Sequence, residues 1–530
     1  MQDRWNLPAE TVSAVESLLQ AQSEGSTACR LFPPPENWGD AAAGPEDARE
    51  TPLVLLSRED GLWVQTRKTF LAEAEIRESL AGRVQTSVDP DPTILSKARE
   101  IFKEFGKEAG DQFRAAESVL RRKLTLLTGG PGTGKTYTLA RLLALLCGVV
   151  CSPERIAVAA PTGKAADRLR EALHQAIPDL VGEKEVEQKA LFSVADRCQT
   201  LHRLIRYNPG RGASPYGPDN PLPVDLLVVD EASMVDLSMW HTLLRALPAA
   251  ARLVFVGDPL QLESVGQGNI FAAMVARSEV GGYLEGCRVH LRKSWRFRDQ
   301  PDIARLAALL ENGDTLGIAP LREEVIGTAG NKGLGWIEGE EGPESAHDLP
   351  KEIWKLLEAI AFAENPERAL AAVDEICLLF PQRRFREGAL VFSEKIQAEF
   401  SGQRGFVAYP IIVNRNDYTQ NLRNGQVGIV WSSGKGDRSV WFRDGEGGLR
   451  SLSPAALPDY SLAWALTVHR AQGSEYAQVL VVLPREGSPL ATRSLVYTAI
   501  TRARQKVWLY GSGEALSAAI KTSSRRQSLL

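Results

Sequence analysis

Short apolar runs alternate along this chain with stretches whose apolar residues recur at helical spacing. A run at 124–127 is followed by a helical pattern at 137–150, and another run at 156–160 precedes a second helical pattern. Further apolar runs at 226–229 and 253–256 repeat the alternation. Strands that alternate with helices in this way are typical of a parallel sheet covered on both faces. The pattern therefore predicts an α/β fold.

The first hundred residues follow a different pattern. Amphipathic helices are expected near 8–20 and 69–82, on either side of a Pro-, Gly- and acid-rich loop at 30–50 and a hairpin at 51–64. Residues 1–105 therefore predict a small N-terminal α+β domain. It would be either a capping domain for the rest of the chain or a docking module for another protein.

Two later segments interrupt the α/β alternation. Residues 405–456 contain short strand-sized pieces separated by turns, which predict a small β-barrel inserted in the second half. Residues 207–223 are rich in Pro, Gly and Asn and predict a short excursion from the first sheet. The last residues, 516–530, are expected to form a flexible tail.

Composition excludes several classes of protein. The chain has 530 residues, 44% of them hydrophobic and 24% charged, and it contains no apolar run of the ~18 residues that a membrane span requires. The start lacks the apolar core of a signal peptide. The six cysteines are scattered without a C-x-x-C pair, which disfavours a disulfide framework or zinc site and suits a reducing cytoplasm. With a net charge of −4, any nucleic-acid contact must be local.

The strongest chemical signal is the segment GGPGTGKT, which fits the pattern G-x-x-x-x-G-K-[ST] between a predicted strand and a predicted helix. Glycines let backbone N–H groups approach phosphate oxygens, and the new helix directs its N-terminus at the same anion. Lys135 would reach the β- and γ-phosphates and the Thr136 hydroxyl would ligate Mg²⁺. We expect the nucleotide, ATP, to be bound by Gly130, Gly132, Thr133, Gly134, Lys135 and Thr136.

A pair of carboxylates ends the apolar run at 226–229. Beside a P-loop, Asp230 would hold the Mg²⁺ ion and Glu231 would orient and deprotonate the attacking water. Gln261, after the next run, could contact the γ-phosphate. Gln112, upstream of the P-loop, has an amide that could pair with both edges of adenine, although a lone glutamine on a helix is usually solvated.

Other candidate residues depend on context. The segment from Pro161 to Ala166 follows an apolar strand and ends at a helix start, where backbone N–H groups and Lys164 could hold a phosphate, or it is an ordinary strand-to-helix turn. Arg296 and Arg502 are candidates for γ-phosphate ligands, or solvated arginines. Thr200 and His202 open a short helical stretch, in which a lone histidine is more often structural, and Thr467 and His469 precede a Gln-Gly turn.

Taken together, the blocks GGPGTGKT, APTGKAA, TLHRL, VVDEASM, GDPLQL, LRKSWRF, TVHRAQGSE and YTAITRAR resemble those of superfamily 1 helicases. The details DEASM and TVHRAQGSEY are similar to the RecD-like branch, which includes the alpha subunit of exodeoxyribonuclease V. The resemblance covers residues 105–515. The 5′→3′ helicases related to telomere-maintenance and phage helicases share several of the blocks.

The resemblance implies two RecA-like P-loop NTPase lobes, with a small SH3-like barrel inserted in the second. The first lobe would occupy 106–285, with 207–223 as a small hairpin, and the second 286–404 and 457–515 around the barrel at 405–456. The first would supply Lys135, Thr136, Asp230, Glu231 and Gln261, and the second Arg296 and Arg502. The DNA contacts implied by the resemblance are Pro161, Thr162, Lys164, Thr200, His202, Thr467 and His469.

The resemblance further implies an ATP-dependent 5′→3′ helicase that works with the beta and gamma subunits of exodeoxyribonuclease V on single strands and duplex ends. No nuclease signature is evident, so nuclease activity would belong to a partner. Two alternatives stay open, a nucleotide-gated regulatory subunit with a vestigial motor and a stand-alone RecD-like helicase. The N-terminal hairpin and helix are similar to the alpha-subunit type.

Overall fold

A computed structural model provides the structure of the protein. It describes residues 9–31, 42–46, 51–58, 60–85, 88–103, 110–182, 184–327, 333–339, 342–384, 388–417, 419–433, 437–444, 448–523, 526 and 528–530. Most of the predicted loop at 30–50 lies outside these residues. The chain divides into two compact units, the first made of residues 1–259, 263–293 and 524–530 and the second of residues 260–262 and 294–523.

The first unit combines a small N-terminal sheet with a larger α/β layer. Its elements are α1 (Ala9–Ser23), β1 (Ala28–Arg30), β2 (Ala42–Ala43), β3 (Leu53–Arg58), β4 (Gly61–Thr66), α2 (Arg67–Val84), α3 (Pro92–Phe102), α4 (Gly110–Arg121), β5 (Leu124–Gly129), α5 (Lys135–Leu146), β6 (Ile156–Ala160), α6 (Gly163–Val181), α7 (Glu185–Asp196), β7 (Gln199–Thr200), α8 (Leu201–Leu204), β8 (Leu226–Val229), α9 (Leu237–Ala246), β9 (Arg252–Gly257), α10 (Ile270–Ala276) and β10 (Arg288–Leu291).

The main sheet of the first unit is parallel throughout, in the order β10-β5-β9-β8-β6-β7. Every residue of β5, β6 and β8 is buried, as expected for strands covered by helices on both faces. This arrangement confirms the predicted α/β class. It also brings the loops that follow β5, β6, β8 and β9 to one edge of the sheet, where ligands bind in open α/β folds.

The second unit contains its own parallel sheet and an antiparallel sheet. Its elements are α11 (Pro301–Asn312), α12 (Ile318–Gly327), β11 (Leu334–Ile337), α13 (Lys351–Ala361), α14 (Pro366–Glu375), β12 (Ile376–Phe380), α15 (Ala389–Ser401), β13 (Ala408–Val413), β14 (Val427–Ser432), β15 (Arg438–Arg443), β16 (Leu449–Leu452), β17 (Tyr460–Leu462), β18 (Ala465–Thr467), α16 (Val468–Ala471), β19 (Tyr476–Val482), α17 (Arg493–Ile500), β20 (Ala503–Tyr510) and α18 (Gly513–Lys521).

The parallel sheet of the second unit has the order β11-β20-β19-β12-β18. The antiparallel sheet, β16-β15-β14-β13-β17, lies between β12 and β18 in the chain and has a small core of its own around Ile411, Val440 and Phe442. The sequence placed strand-sized pieces in 405–456, and the sheet extends further, to β17. Because β17 pairs with β13, the last strand could not be recognised from local turns alone.

Two predicted boundaries are corrected by the structure. Strand β10 pairs with β5, so the first unit continues past residue 285 and takes in a strand that the sequence assigned to the second lobe. Arg502 follows the end of α17, and Arg504 lies in β20. The segment 516–530 is not a flexible tail in the described residues, because α18 continues to Lys521 and the side chains of Leu529 and Leu530 are buried.

The N-terminal region is also less separate than predicted. Strands β1, β3 and β4 and helix α1 share a small core. In contrast, Ile76 and Leu80 of α2 belong to the core formed by β5, β8 and β9, and Ala98 and Phe102 of α3 pack with α4 and α5. Burial of their apolar faces thus makes α2 and α3 part of the first α/β layer rather than of an independent domain ending at 105.

Candidate functional site

The glycine-rich loop connects β5 to α5. Gly132 and Gly134 have φ angles of 72° and 82°, in the left-handed region that residues with a Cβ rarely adopt. Gly134 precedes the first residue of α5 and offers no side-chain cap, so the first N–H groups of the helix are left for a ligand. The local sequence therefore forms the anion-binding turn that its spacing predicts.

Lys135 closes this loop on itself. Its Nζ donates to the carbonyl oxygens of Gly129 (2.7 Å) and Gly130 (2.9 Å), and the Thr133 hydroxyl donates to Gly130 (2.8 Å). Gly129 has no room for a side chain, because an added Cβ would lie 2.6 Å from the Thr133 Oγ1. The ammonium group is therefore held at the loop, and a phosphate would replace carbonyl oxygens as its partner.

The predicted carboxylates follow β8. The backbone N–H of Asp230 donates to Ala159 of the neighbouring β6 (2.9 Å), which continues the strand pairing up to the acid. Burial raises the pKa of the Asp230 carboxyl well above its usual value, and the neighbouring Glu231 carboxylate adds to the rise, whereas Lys135 and Arg168 oppose it. A carboxylate in this environment is favoured by a nearby cation.

Glu231 has an unusual backbone conformation. Its φ of 51° and ψ of 42° are left-handed, and its N–H donates to the Asp230 Oδ1 (2.9 Å). Left-handed geometry is costly for a residue with a long side chain and recurs at functional sites. The two consecutive carboxylates therefore have different environments. The Asp230 carboxylate accepts a backbone N–H, whereas Glu231 immediately precedes a short 3₁₀ turn.

Two side chains on the helices beside the P-loop, Gln112 and Tyr137, are candidates for contact with a nucleobase. Gln112 of α4 is only 3% exposed, and its Oε1 is buried without a hydrogen-bond partner. Burying an amide oxygen without a hydrogen-bond donor costs free energy. Such a group is expected where a bound ligand supplies the missing donor. Tyr137, one turn into α5, is 40% exposed, and the Arg141 guanidinium lies 3.8 Å from its ring centroid.

The second unit contains a separate cluster around Arg502. This side chain is 4% exposed; its Nε donates to the carbonyl oxygen of Thr498 (3.0 Å) and its Nη2 to the Oε1 of Gln261 (3.0 Å). The chain around Gln261 is fixed in turn, since the Leu262 N–H donates to the Thr498 hydroxyl (2.7 Å) and Gln472 donates to the Leu262 carbonyl (3.0 Å).

Arg296 joins the same cluster. Its guanidinium donates to Glu475 (2.6 Å) and to the carbonyl oxygen of Thr501 (3.1 Å), the residue before Arg502. The structure thus groups Gln261, Arg296 and Arg502 within the second unit. Gln261 was expected from the first lobe; it belongs with residues 260–262 to the second unit because hydrogen bonds to α17 and the turn after α16 hold it there.

The first-unit residues proposed to contact DNA follow adjacent strands. Ala160 of β6 pairs with Thr200 of β7, so Pro161 and Thr162 lie beside the start of α8. The hydroxyls of Thr162 and Thr200 cap α6 and α8 by accepting backbone N–H groups at 3.2 and 3.3 Å. His202 is exposed. These capping hydroxyls give the two threonines a structural role that the motif alone did not reveal.

The ring of His202 lies 5.5 Å from that of Tyr207, edge to face, at the start of the excursion 207–223. Within the excursion, isolated antiparallel bridges join Asn208 to Ala213 and Gly217 to Asn220.

In the second unit, Thr467 ends β18 and its hydroxyl accepts the Arg470 N–H (3.4 Å), which caps α16. His469 lies on this short helix and is partly exposed. The arrangement resembles that of Thr200 and His202, with a threonine that ends a strand and a histidine two residues later on a short helix. Each unit therefore presents a similar Thr-x-His turn.

Sequence reasoning missed several participants. Glu475 accepts a hydrogen bond from Arg296, and Thr498 accepts one from the 260–262 segment. Both residues stand in the quoted blocks, but no spacing rule links them to distant partners. Tyr137 could have been found as an aromatic residue two positions after the P-loop lysine.

The side chains that the sequence offers for a Mg²⁺ ion are the Thr136 hydroxyl and the Asp230 carboxylate. Among the described residues, no group of three or more His, Cys, Asp or Glu side chains could hold a metal ion. A hydroxyl and a single carboxylate, as in Thr136 and Asp230, fit a cation that keeps water and phosphate oxygens as its other ligands. In the same described part of the chain, no helix is both long and apolar enough to cross a bilayer.

Two family models match the chain. Residues 112–267 match the AAA domain, and residues 462–510 match the UvrD-like helicase C-terminal domain. The first match begins at Gln112 and includes the P-loop and both acidic residues. The second includes Thr467, His469, Glu475 and Arg502.

Curated proteins align over most of the chain. The RecBCD enzyme subunit RecD of Mycolicibacterium smegmatis is 34% identical over 93% of this chain and 86% of its own length. The subunit of the same name from Haemophilus influenzae is 28% identical over 82% of this chain and 74% of its own length. The ATP-dependent RecD2 DNA helicase of Deinococcus radiodurans is 30% identical over 83% of this chain and 53% of its own length.

Solved structures also align. A Pif1 helicase structure described as the basis for DNA unwinding at forked double-stranded DNA is 18% identical, with a TM-score of 0.42, and the alignment covers 77% of this chain and 93% of that one.

Proposed function

Since the chain belongs to the RecD family, we infer that it is an ATP-dependent DNA helicase and the motor subunit of a RecBCD-type helicase–nuclease. The observation that supports a working motor best is the intact P-loop, with Lys135 at the start of α5 and two acids after β8. A vestigial site would not need to retain the left-handed glycines and the strained Glu231 that this chemistry requires.

We propose that ATP binds at the edge of the first sheet. The N-terminal N–H groups of α5 and the Lys135 ammonium hold the phosphates, and Gln112 pairs with the base through its unsatisfied amide oxygen. Thr136 and Asp230 would hold Mg²⁺, which neutralises phosphate charge when bound. Glu231 accepts the proton of the attacking water, because its turn separates it from the metal-side carboxylate.

Gln261, Arg296 and Arg502 are proposed to act on the γ-phosphate from the second unit. Arg502 is held rigidly by its hydrogen bonds to Thr498 and Gln261, which reduces the entropy lost when it contacts a phosphate. Two guanidinium groups would offset the charge that develops during phosphoryl transfer. Their attraction to the γ-phosphate would be lost after hydrolysis, so the arginine cluster would distinguish ATP from the product.

We further propose that a single DNA strand passes over the two Thr-x-His turns. Pro161, Thr162, Lys164, Thr200 and His202 would contact it in the first unit, and Thr467 and His469 in the second. Contacts of this kind to the DNA backbone and bases carry little sequence information, as a translocating enzyme requires. Alternating grip by two similar turns would move the strand, and the RecD-like motifs imply the 5′→3′ direction.

The remaining proposals concern assembly. The antiparallel sheet β13–β17 is proposed to be the SH3-like element of this branch, and residues 207–223 the short hairpin that helps to split the duplex. The beta and gamma subunits are proposed as partners, with nuclease activity in one of them, and the N-terminal sheet as part of the docking surface. The enzyme would act at duplex ends.

The decisive experiment is a steady-state ATPase assay on the purified chain with and without single-stranded DNA. A motor should show DNA-stimulated hydrolysis that Glu231→Gln abolishes while nucleotide binding is retained. Glu117→Gln, a partly buried carboxylate on α4 outside the proposed chemistry, is the matched control. Binding of ATP and DNA without stimulated turnover would favour the nucleotide-gated regulatory subunit instead.

A further inference from the structure

The last described residues, Arg526 and 528–530, pack within the first unit, although α18 itself belongs to the second. Leu529 is 4% exposed and Leu530 is 1% exposed. Leu529 contacts Ala28 and Trp63 of the N-terminal sheet, and Leu530 joins the large core that also contains Ile76 of α2. A short segment therefore inserts two leucines into two different hydrophobic clusters.

Glu73 of α2 is the polar centre of this contact. Its side chain is 1% exposed, and its Oε1 accepts hydrogen bonds from the hydroxyls of Thr27 (2.7 Å) and Ser528 (2.6 Å) and from the N–H of Leu529 (3.3 Å). Its Oε2 accepts from Gln65 (3.2 Å). A buried carboxylate is costly unless it is saturated with donors, and here the segment supplies about half of them.

Arginines hold the main chain of the same segment. Arg58 and Arg77 both donate to the Leu529 carbonyl oxygen, at 2.9 and 3.0 Å, and the Nε of Arg277 donates to the main-chain oxygen of Leu530 (2.8 Å). Burial lowers the pKa of Arg58, and the nearby Arg277 and Arg77 lower it further. Three guanidinium groups in such proximity require acceptors, which these oxygens provide.

Arg526 adds an attachment to the loop before α10. It donates to the carbonyl oxygens of Ser264 and Gly266, the latter at 3.0 Å, and it lies 3.8 Å from the Glu263 carboxylate. Gly25 makes room for it, because a Cβ there would come within 2.5 Å of the Arg526 Nε. The carbonyl oxygen of Gly25 accepts a hydrogen bond from the Gly268 N–H (2.7 Å). Arg526 therefore lies where the N-terminal region meets the α/β layer.

We propose that Glu73, Arg58, Arg77 and Arg277 form a peptide-binding socket and that residues 528–530 are its occupant, with Arg526 as a further anchor. The bound segment acts as a strap that fastens the N-terminal sheet to the α/β layer of the first unit. Its leucines fill one cluster on each side, and its backbone satisfies polar groups contributed by both. The strap also covers the Trp63 side of the sheet, so a partner subunit must use another face or displace it.

Hydrogen exchange on the full chain tests the docking. The amides of 528–530 should exchange at least about tenfold more slowly than in a free peptide of the same sequence, because the Leu529 N–H is bonded and buried. Glu73→Gln should remove most of that protection. Glu78→Gln, an exposed carboxylate on the same helix, should leave it unchanged. Exchange at the free-peptide rate in the wild-type chain, or equal protection in both variants, would overturn the proposal.

A second variant tests whether the segment fastens the N-terminal sheet to the α/β layer, and it leaves the socket residues unchanged. Leu530→Asp should release the segment and speed exchange in β1 and β4 by about tenfold or more, while β14 and β15 of the second unit keep their wild-type rates. Ser528→Ala should have the same effect to a smaller degree. If the segment is released and β1 and β4 stay fully protected, the strap role is wrong. The readout is independent of ATPase activity and therefore of the proposed motor function.

Discussion

At the scale of single residues, the side chains proposed for the nucleotide site differ in how their polar groups are satisfied. The Lys135 ammonium is held by backbone carbonyl oxygens of its own loop, and the Gln112 amide oxygen is buried without a partner. Asp230 is shifted toward protonation by burial and by Glu231. A bound nucleotide and its cation would give each of these groups an additional favourable electrostatic or hydrogen-bond partner.

Replacing Lys135 with Ala should lower DNA-stimulated ATP hydrolysis by at least about 100-fold, because it removes the charge that contacts the phosphates. The fold should be retained, since the lysine bonds only to its own loop. Steady-state hydrolysis together with circular dichroism checks both expectations. Lys184→Ala, in an exposed position on the same unit, is the control. Near-normal turnover in the Lys135 variant would contradict the assignment.

Gln112→Ala should raise the KM for ATP by roughly tenfold while kcat changes little, as expected when a hydrogen bond to the base is lost in ground and transition states alike. The preference for ATP over GTP and CTP should fall by a similar factor. Arg114→Ala, on an exposed position of the same helix, should leave both values unchanged. An unaltered nucleotide preference would show that Gln112 is not a base contact.

At the scale of elements, short connections after strands bring the chemistry together. The loops after β5, β6 and β8 lie at one edge of the first sheet because the strands are parallel. In the second unit, the turn after α16, the end of α17 and residues 260–262 converge through Gln472, Thr498 and Arg502. The position of Arg502 is therefore set by three segments that are distant in sequence.

Arg502→Ala should lower kcat by about 10³-fold or more with a smaller effect on ATP affinity, since an arginine finger acts mainly on transition-state charge. Single-turnover hydrolysis and equilibrium nucleotide binding separate the two effects. Arg504→Ala is a close control, because Arg504 lies two residues later and is exposed. A change confined to KM would instead make Arg502 a ground-state ligand.

The N-terminal elements divide into two groups with different expected roles. Deleting residues 1–105 should destabilise the first unit, because it removes Ile76, Leu80 and Phe102 from the cores of the α/β layer. Losing one buried aliphatic side chain costs about 2–5 kcal/mol, a large part of the ~5–15 kcal/mol that stabilises a domain. Deleting only 1–65, which retains α2, should be tolerated better.

The measurement is the thermal unfolding and solubility of the two truncated chains. Co-purification of the partner subunits with each truncated chain is tested in parallel. Equal stability of the two deletions would mean that α2 and α3 are dispensable to the core. Retained assembly after deletion of 1–65 would move the docking surface away from the N-terminal sheet.

At the scale of the whole molecule, two units of similar design each contain a parallel sheet and a Thr-x-His turn, and the chemistry is divided between them. The P-loop and acids belong to the first unit, and the arginine cluster belongs to the second. If both groups contact the nucleotide, as proposed, ATP hydrolysis would change the ligands of the arginine cluster. The family then gives the direction of movement.

The enzyme should unwind duplexes that have a 5′ single-stranded tail and fail on those with a 3′ tail. The reason is the RecD-like set of motifs, which implies 5′→3′ translocation. Strand displacement with matched fluorescent substrates, differing only in the polarity of the tail, gives the answer. Lys135→Ala serves as the inactive control. A preference for the 3′ tail would contradict the proposed polarity.

The sequence alone determined the α/β class, the phosphate-binding turn, the acids after β8 and the order of the motifs. Each of these depends on contiguous residues, because glycine conformations, strand burial and helix capping are local properties. The same applies to Thr162 and Thr200, whose hydroxyls cap the helices that they precede.

Only the tertiary structure decided which distant segments share a core or a hydrogen-bond network. It assigned Gln261 to the second unit, β10 to the first sheet and α2 to the first core, and it buried Leu529 and Leu530. The terminal residues KTSSRRQSLL are polar except at their end, so their composition predicted a frayed tail. Ser528 and Leu529 donate hydrogen bonds to Glu73, more than four hundred and fifty positions away, and local patterning carries no information about such a partner.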